Sequence, residues 1–190
     1  MVNSLCIFCG SRFGVATGYR AEAARLGELC GQNGIEVIYG GGHVGLMGVV
    51  ADAAMTAGGR VTGLIPERLL EWEVGHHGIS ELIVTDSMSD RKDKMIATSD
   101  AFAILPGGLG TLDEFFEVLT LRQLSYHRKP IILINVDGFW DPLNALIRQV
   151  VDRGFADADV YAMIHTVENA DQALSVLGFD EAGSRRQAAP

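Results

Sequence analysis

The amino-acid sequence predicts an α/β fold in which a doubly wound parallel sheet forms a single domain. Short apolar runs alternate with longer segments of helical periodicity almost from end to end, which is the pattern of a parallel sheet covered by helices on both faces. The length of 190 residues suits one such domain. Hydrophobic residues make up 48% of the chain and charged residues 21%, so the composition favours a well-filled core over a disordered chain.

The apolar runs are predicted as strands because they are short and bounded by glycine, proline or polar residues. The predicted strands are Ser4 to Cys9, Ile35 to Tyr39, Arg60 to Ile65, Glu81 to Thr85, Ala101 to Leu105 and Ile131 to Asn135. A further short strand or extended piece is expected around Val160 to Thr166.

Helical spacing of apolar residues occupies most of the chain between these runs. The predicted helices are Ala16 to Gln32, Val44 to Ala57, Ser89 to Ser99, Thr111 to Tyr126, Asp141 to Arg153 and Ala170 to Leu177. Residues 181–190 show no apolar periodicity and are predicted to be a mobile tail, which leaves residues 1–180 as the domain.

The charge and hydropathy of the chain exclude two classes of partner. A net charge of -9 is unlike that of a general nucleic-acid binder, which needs a basic face. The apolar runs are shorter than a membrane span, and the first residues lack the basic flank of a signal peptide. We therefore predict no nucleic-acid partner, no membrane association and a cytoplasmic location.

Cysteine and histidine spacing predicts neither a redox site nor a metal site. Cys6 and Cys9 form a C-x-x-C pair, but a strand turns residues three apart to opposite faces. A zinc site would need a second pair, and the total of three cysteines gives no disulfide framework. The histidines show no ligand spacing such as H-x-x-x-H. We expect buried thiols and no metal.

The segment Pro106 to Glu114, PGGLGTLDE, joins a predicted strand to a helix through a glycine-rich turn. Gly107, Gly108 and Gly110 allow a ligand to approach the backbone closely. Thr111 opens the predicted helix, whose free N–H groups and positive dipole end favour an anion. This construction is typical of a phosphate-binding site.

Two more glycine-rich turns, Gly10 to Gly14 and Gly40 to Gly45, also follow predicted strands. Ligands of doubly wound sheets bind at the carboxyl ends of the strands, so all three turns should meet at one crevice. The second turn also fits G-x-G-x-x-G, which raises dinucleotide binding as an alternative. In a dinucleotide site an acidic residue at the end of the next strand binds the ribose, and Glu67 is the nearest candidate. Because Glu67 follows Pro66 in a predicted loop, we favour mononucleotide binding or a purely structural role for this turn.

Charged residues near these turns have both functional and structural interpretations. Arg91 and Lys92 stand at the start of a predicted helix, where cations oppose the dipole, so an anionic or polyhydroxyl ligand would explain them. Thr111 and Glu114 have the spacing of a capping box, in which Glu114 is only a helix cap. Asp113 is expected to face solvent. Spacing alone leaves both roles of Glu114 open.

Pro106 to Glu114 matches the motif P-G-G-x-G-T-x-x-E, and the chain closely resembles the LOG family, the cytokinin riboside 5'-monophosphate phosphoribohydrolases. Some relatives are labelled lysine decarboxylases, but no residue pattern here points to a pyridoxal phosphate Schiff base. The resemblance covers nearly the whole chain. Its other segments are Phe8 to Ser11, Tyr39 to Gly48, Arg91 to Lys92, Lys129 to Ile131 and Asn135 to Gly138.

The resemblance implies a Rossmann-like homodimer that needs no cofactor. It implies hydrolysis of the N-glycosidic bond of cytokinin riboside 5'-monophosphates or AMP, releasing the base and ribose 5'-phosphate. Arg91 and Glu114 would be the catalytic pair. Ser89 stands where the family usually has the histidine of M-H-x-R-K. The residues that would bind substrate are Glu73, Lys92, Gly107, Gly108, Leu109, Gly110, Thr111 and Thr120.

Two alternatives to a hydrolase stay open. A non-catalytic nucleotide-binding or carrier module would bind without turnover, and the co-occurrence of Arg91 and Glu114 weighs against it. An NAD-dependent oxidoreductase would transfer hydride, and the lack of a ribose-binding acid at the expected strand end weighs against that. The apolar run Leu119 to Tyr126 fits either the core or a dimer interface.

Overall fold

The computed structural model describes residues 2–70 and 75–179. Their strands form one sheet in which every pairing is parallel. The strands are β1 (Ser4–Phe8), β2 (Glu36–Tyr39), β3 (Val61–Pro66), β4 (Glu81–Thr85), β5 (Ala101–Ile104), β6 (Ile131–Ile134) and β7 (Ile164–Val167). The seven strands lie in the order β4-β3-β2-β1-β5-β6-β7, so the predicted fold class is confirmed.

Helices cover both faces of this sheet. The helices are α1 (Thr17–Gln32), α2 (Gly45–Thr56), α3 (Glu67–Leu70), α4 (Met88–Thr98), α5 (Leu109–Gln123), α6 (Asp141–Asp152) and α7 (Ala170–Val176). Two short 3-10 helices span Val136–Gly138 and Ala158–Met163.

The core consists of two layers, one on each side of the sheet, because alternate strand residues point to opposite faces. Leu5 and Ile7 of β1 pack with α1, α2 and α7. Cys6 and Phe8 pack on the other face with α4, α5 and α6. Every residue of β1, β3, β5 and β6 is buried, as expected for strands covered on both faces.

The six strands predicted first and all six predicted helices are confirmed, with differences at their ends. The extended piece predicted around Val160 to Thr166 is wrong in its first half, because Ala158–Met163 is a 3-10 helix and β7 follows it. Glu67, predicted in a loop, begins the one-turn helix α3. Such short helices carry too few residues to show a period in the sequence.

The topology switches direction beside β1, which lies between β2 and β5. The turns that follow these three strands are therefore neighbours at the carboxyl edge of the sheet. Main-chain hydrogen bonds link them: the Gly10 N–H donates to the Pro106 carbonyl at 3.1 Å, and the Leu46 N–H donates to the Gly10 carbonyl at 3.0 Å. The predicted convergence of the three glycine-rich turns is confirmed.

Within residues 2–70 and 75–179, no helix combines the length and apolar character needed to cross a membrane. The predicted mobile tail at 181–190 lies outside the described residues.

Candidate active site

A hollow of about 230 Å³ opens where the three turns meet. Its walls come from the turns after β1, β2 and β5 and from residues of α2, α3, α4 and α5. Lining residues from the first two turns are Gly10, Ser11 and Gly40, and those from the helices are Met47, Leu69, Met88, Arg91, Leu109, Gly110, Thr111, Asp113 and Glu114. We call this space the catalytic hollow.

Helix α5 presents its N-terminus to the catalytic hollow. It begins at Leu109 with Gly108 as the extended N-cap residue, and no side chain accepts a hydrogen bond there as a cap. The first N–H groups of the helix are therefore available to an anion. The space around Gly108 and Gly110 is open, since a Cβ on either would meet no described atom within 4 Å. The local geometry fits the predicted phosphate cradle.

The predicted capping box of Thr111 and Glu114 is wrong. Gly108 already takes the N-cap position, so the helix begins two residues earlier than predicted and both residues lie inside it. Three residues apart, they share one face of α5. Thr111 is 3% exposed and Glu114 is 9% exposed. The carboxylate of Glu114 is thus turned into the protein beside the hollow, where capping does not account for it.

Arg91 reaches the same place from α4. The Ser87 hydroxyl caps this helix by accepting the Asp90 N–H at 3.1 Å, and Arg91 lies one turn in, only 5% exposed. Its Nε donates to the Leu64 carbonyl at 3.0 Å, and its Nη2 lies 3.6 Å from Oε1 of Glu114. The structure therefore brings the two predicted catalytic side chains together as a buried ion pair.

Gly40 makes room for the guanidinium of Arg91. A Cβ at Gly40 would lie 2.1 Å from Nη2 of Arg91, so only glycine allows the turn after β2 to pack on that group. The sequence places Gly40 in a glycine-rich turn but does not predict this contact. Spacing could not have found it, because the two residues lie on different elements.

Lys92 does not line the catalytic hollow, although its partner Asp113 does. Its Nζ lies 2.9 Å from Oδ2 of Asp113 and 2.7 Å from Oε2 of Glu117, so it forms ion pairs between α4 and α5. Asp113, expected to face solvent, is exposed and yet pairs with this lysine. These contacts explain a cation near the start of α4 without a ligand.

The other predicted substrate-binding residues are divided between several places. Gly108, Leu109, Gly110 and Thr111 line the catalytic hollow. Gly107 faces an adjoining hollow, and Thr120 is exposed about 9 Å further along α5 than Glu114. Glu73 lies outside the described residues. Ser89 is exposed on α4 and does not line the hollow.

The cysteines are buried, as predicted. Cys6 and Cys9 lie at β1 and Cys30 lies on α1. Burial, and next the charge of Glu114, raises the pKa of the Cys9 thiol beside the hollow. Burial raises the pKa of Cys30 to about 12. Since the thiolate is the reactive form, none of the three is suited to act as a nucleophile.

Three side chains of types that can bind metal ions lie close together outside the catalytic hollow. Their spacing in the sequence could not reveal this cluster. Atoms of His43, Asp52 and His76 lie within 4.8 Å of one another. Nδ1 of His76 accepts the Gly78 N–H at 3.2 Å, so Nε2 carries the ring proton and donates to Oδ1 of Asp52 at 2.9 Å. A metal at Nε2 would need a lone pair there and a proton at Nδ1, facing the Gly78 N–H. These contacts fit a structural hydrogen bond between His76 and Asp52. The absence of a metal stays a prediction.

Comparison with known proteins settles the family. A family model described as "Possible lysine decarboxylase" matches residues 47–177. The chain is 42% identical over 173 residues to the cytokinin riboside 5'-monophosphate phosphoribohydrolase LOG2 of Arabidopsis thaliana, with 91% of this chain and 81% of that protein covered. The chain belongs to the LOG family. The LOG enzyme of Oryza sativa subsp. japonica is 41% identical over 173 residues, with 91% and 72% covered.

Several solved structures share this fold. The molybdenum cofactor binding protein from Rippkaea orientalis has a TM-score of 0.72 at 21% identity, with 93% of this chain and 96% of that one covered. The Moco carrier protein of Chlamydomonas reinhardtii has a TM-score of 0.70 at 19% identity, with the same coverage. At this identity the likeness shows the fold alone.

Proposed function

We propose that this LOG-family protein is a phosphoribohydrolase that cleaves the N-glycosidic bond of cytokinin riboside 5'-monophosphates, AMP or both. The products are the free base and ribose 5'-phosphate. The buried pair of Arg91 and Glu114, beside the uncapped start of α5, carries this proposal. It combines a phosphate cradle with a carboxylate close enough to reach the ribose of the same molecule.

The helix geometry suggests where each part of the substrate lies. With the 5'-phosphate at the N–H groups of Gly108 to Thr111, the backbone of Glu114 lies about 4.5 Å further along the axis than that of Thr111. The ribose would occupy this region. Binding the phosphate, which is remote from the bond that breaks, orients the sugar and lowers the barrier. The bare nucleoside should therefore be a poor substrate.

The chemistry resembles glycoside hydrolysis, in which the sugar passes through a cation-like transition state. The carboxylate of Glu114 can stabilise this positive charge and orient or deprotonate water. The C1'–N bond breaks with its electrons going to the base, water adds its oxygen to C1', and a proton from water ends on the base. The guanidinium of Arg91 can position Glu114 or stabilise the departing base.

Chromatography of a nucleotide panel with the wild-type protein tests this function. The panel contains AMP, its isopentenyl derivative, GMP, CMP and adenosine. We expect base and ribose 5'-phosphate in equal amounts from the adenine-type monophosphates, and little product from adenosine. Binding of AMP with no base released would contradict the proposal and support a non-catalytic carrier.

The carrier alternative is favoured only by the fold, since structures with this fold include a Moco carrier protein. An NAD-dependent oxidoreductase has less support. Glu67, the acid nearest to the expected ribose-binding position, is exposed at the start of α3. The panel separates the carrier from the hydrolase, and incubation with NAD and absorbance at the reduced nicotinamide band tests the oxidoreductase.

Gly108→Ala is expected to weaken AMP binding with only a small loss of stability. The residue has a negative φ, and its Cβ would meet no described protein atom within 4 Å. Because alanine is a poorer N-cap residue than glycine, the free energy of unfolding should fall by about 1 kcal/mol or less. The methyl group would occupy the space through which the phosphate approaches, so KM should rise. Steady-state kinetics and thermal melting measure the two effects, and an unchanged KM would remove Gly108 from the cradle.

We also propose that the protein is a homodimer that uses the exposed apolar side chains of α5 and the turn after it. Phe116, Leu124 and Tyr126 are exposed there, whereas Leu119 belongs to the core. Light scattering should give about twice the chain mass of 20.4 kDa, and Phe116→Glu should halve it. Phe155→Glu, at another exposed aromatic, is the control. A monomeric wild type would contradict the proposal.

A cytoplasmic location stays a prediction.

A further inference from the structure

A second hollow, of about 480 Å³, adjoins the catalytic hollow. The two hollows share Gly10, Ser11, Gly108 and Leu109 as lining residues, whereas Arg91 and Glu114 line only the catalytic hollow. The second hollow is therefore next to the phosphate cradle but separate from the catalytic pair. We call it the aromatic hollow, because Phe13, Tyr19 and Phe139 contribute rings to its lining.

Packing holds these rings in defined orientations. Tyr19 and Phe139 meet edge to face, with ring centroids 5.5 Å apart and planes at 76°. Gly14 has φ 71°, and a Cβ there would lie 2.8 Å from the Tyr19 ring, so the turn after β1 packs directly on that ring. Phe13 is 47% exposed, and the guanidinium of Arg20 lies 5.2 Å from its centroid. These rings thus present a preorganised apolar surface to a small molecule.

Arg12 adds a positive charge to this surface. Arg12 lines the aromatic hollow, and within the described residues its side chain makes no hydrogen bond or ion pair. An arginine in such a position can pair with a phosphate through two parallel hydrogen bonds, and it can also stack on a flat ring. The lining therefore favours a ligand that is both planar and anionic.

The two volumes suggest how much of a ligand each hollow accepts. Sites for small molecules usually measure about 300–1,000 Å³. The catalytic hollow, at about 230 Å³, is smaller than this range, and the aromatic hollow, at about 480 Å³, lies within it. The catalytic hollow is therefore small for a site that holds a whole nucleotide.

We propose that the aromatic hollow is a second binding subsite, which takes a purine-type ring from a molecule that carries a phosphate. The ring stacks on Phe13, and Arg12 pairs with the phosphate. The ring can come from either of two molecules. It is the base of the nucleotide whose phosphate lies in the shared cradle, or it belongs to a second purine nucleotide. The first alternative rests on the proposed function, and the second alternative does not.

Binding measurements on a slow variant test the subsite. Glu114→Gln protein is titrated with AMP and, separately, with ribose 5'-phosphate by calorimetry, alone and combined with Phe13→Ala or Arg12→Met. Losing one base–aromatic stack should weaken AMP binding roughly tenfold. Phe155→Ala and Arg128→Met remove an exposed ring and an exposed cation outside both hollows, and they should leave binding unchanged.

The two ligands distinguish the two sources. If the ring is the substrate's own base, AMP binds once per chain, and Phe13→Ala weakens AMP but not ribose 5'-phosphate. If a second nucleotide binds, the stoichiometry falls from two to one with Phe13→Ala. Unchanged AMP affinity and stoichiometry in both hollow variants would overturn the subsite, even where the wild type hydrolyses AMP. A wild type without hydrolysis, whose AMP binding still depends on Phe13, would overturn only the proposed function.

Discussion

Glu114→Gln is expected to stop base release while AMP still binds. The amide keeps the size of the side chain but cannot carry the negative charge that would stabilise a cation-like ribose or deprotonate water. Positioned acid–base groups contribute about 10² to 10⁴ in rate, so a loss in this range is expected. Single-turnover chromatography of adenine measures the rate, and calorimetry measures the binding. Glutamine is preferred to alanine because it fills the site beside the buried Arg91.

Glu117→Gln is the matched control. Glu117 lies three residues further along α5, and its carboxylate pairs with Lys92 outside the catalytic hollow. Its loss should reduce stability slightly and leave turnover near wild type. Glu114→Gln protein that releases adenine at the wild-type rate would show that the carboxylate is structural and that the proposed mechanism is wrong.

Gly40→Ala is expected to remove most of the activity from a protein that still folds. The new Cβ would lie 2.1 Å from Nη2 of Arg91 and 3.1 Å from Sδ of Met47, and both atoms belong to flexible side chains. The guanidinium can therefore shift slightly, which lengthens its contacts with Glu114 and the Leu64 carbonyl but keeps the buried ion pair together. A displacement of about 1 Å in a catalytic group can cost roughly 10² in rate. The expected result is a large fall in kcat with a small change in melting temperature.

Gly41→Ala should behave in the opposite way. Gly41 has φ 77°, and its Cβ would come within 3.3 Å of the Leu64 backbone, so alanine there strains the main chain. We expect a clear loss of thermal stability for Gly41→Ala, whereas Gly40→Ala should mainly lower kcat. A Gly40→Ala protein with wild-type kcat would show that the position of the Arg91 guanidinium does not limit catalysis.

Much of the fold is encoded in local patterns that can be read without a structure. Buried parallel strands such as Ile131–Ile134 are continuous apolar runs, and glycine-rich turns mark their carboxyl ends. The convergence of three turns follows from the general rule for doubly wound sheets. Short elements such as Glu67–Leu70 were missed because a single turn has no measurable period.

The site was only partly predictable, because its decisive contacts join distant elements. Motif resemblance selected Arg91 and Glu114, and the structure places them 3.6 Å apart. Spacing suggested a capping box at Thr111, but the extended backbone of Gly108 already provides the N-cap. Lys92 was chosen as a ligand contact, yet two carboxylates of α5 pair with it. A linear pattern shows the type of a side chain but not which partner it meets in three dimensions.

The turns around the candidate site are joined through their backbones, from Leu46 to Gly10 and from Gly10 to Pro106. Hydrogen bonds between main-chain groups do not depend on which side chains the turns carry. Positions such as Ser11, Arg12 and Phe13 can therefore mutate without separating the turns. Substitutions can therefore change the side chains at the rim of the crevice one residue at a time, while the backbone frame of the predicted phosphate cradle stays the same.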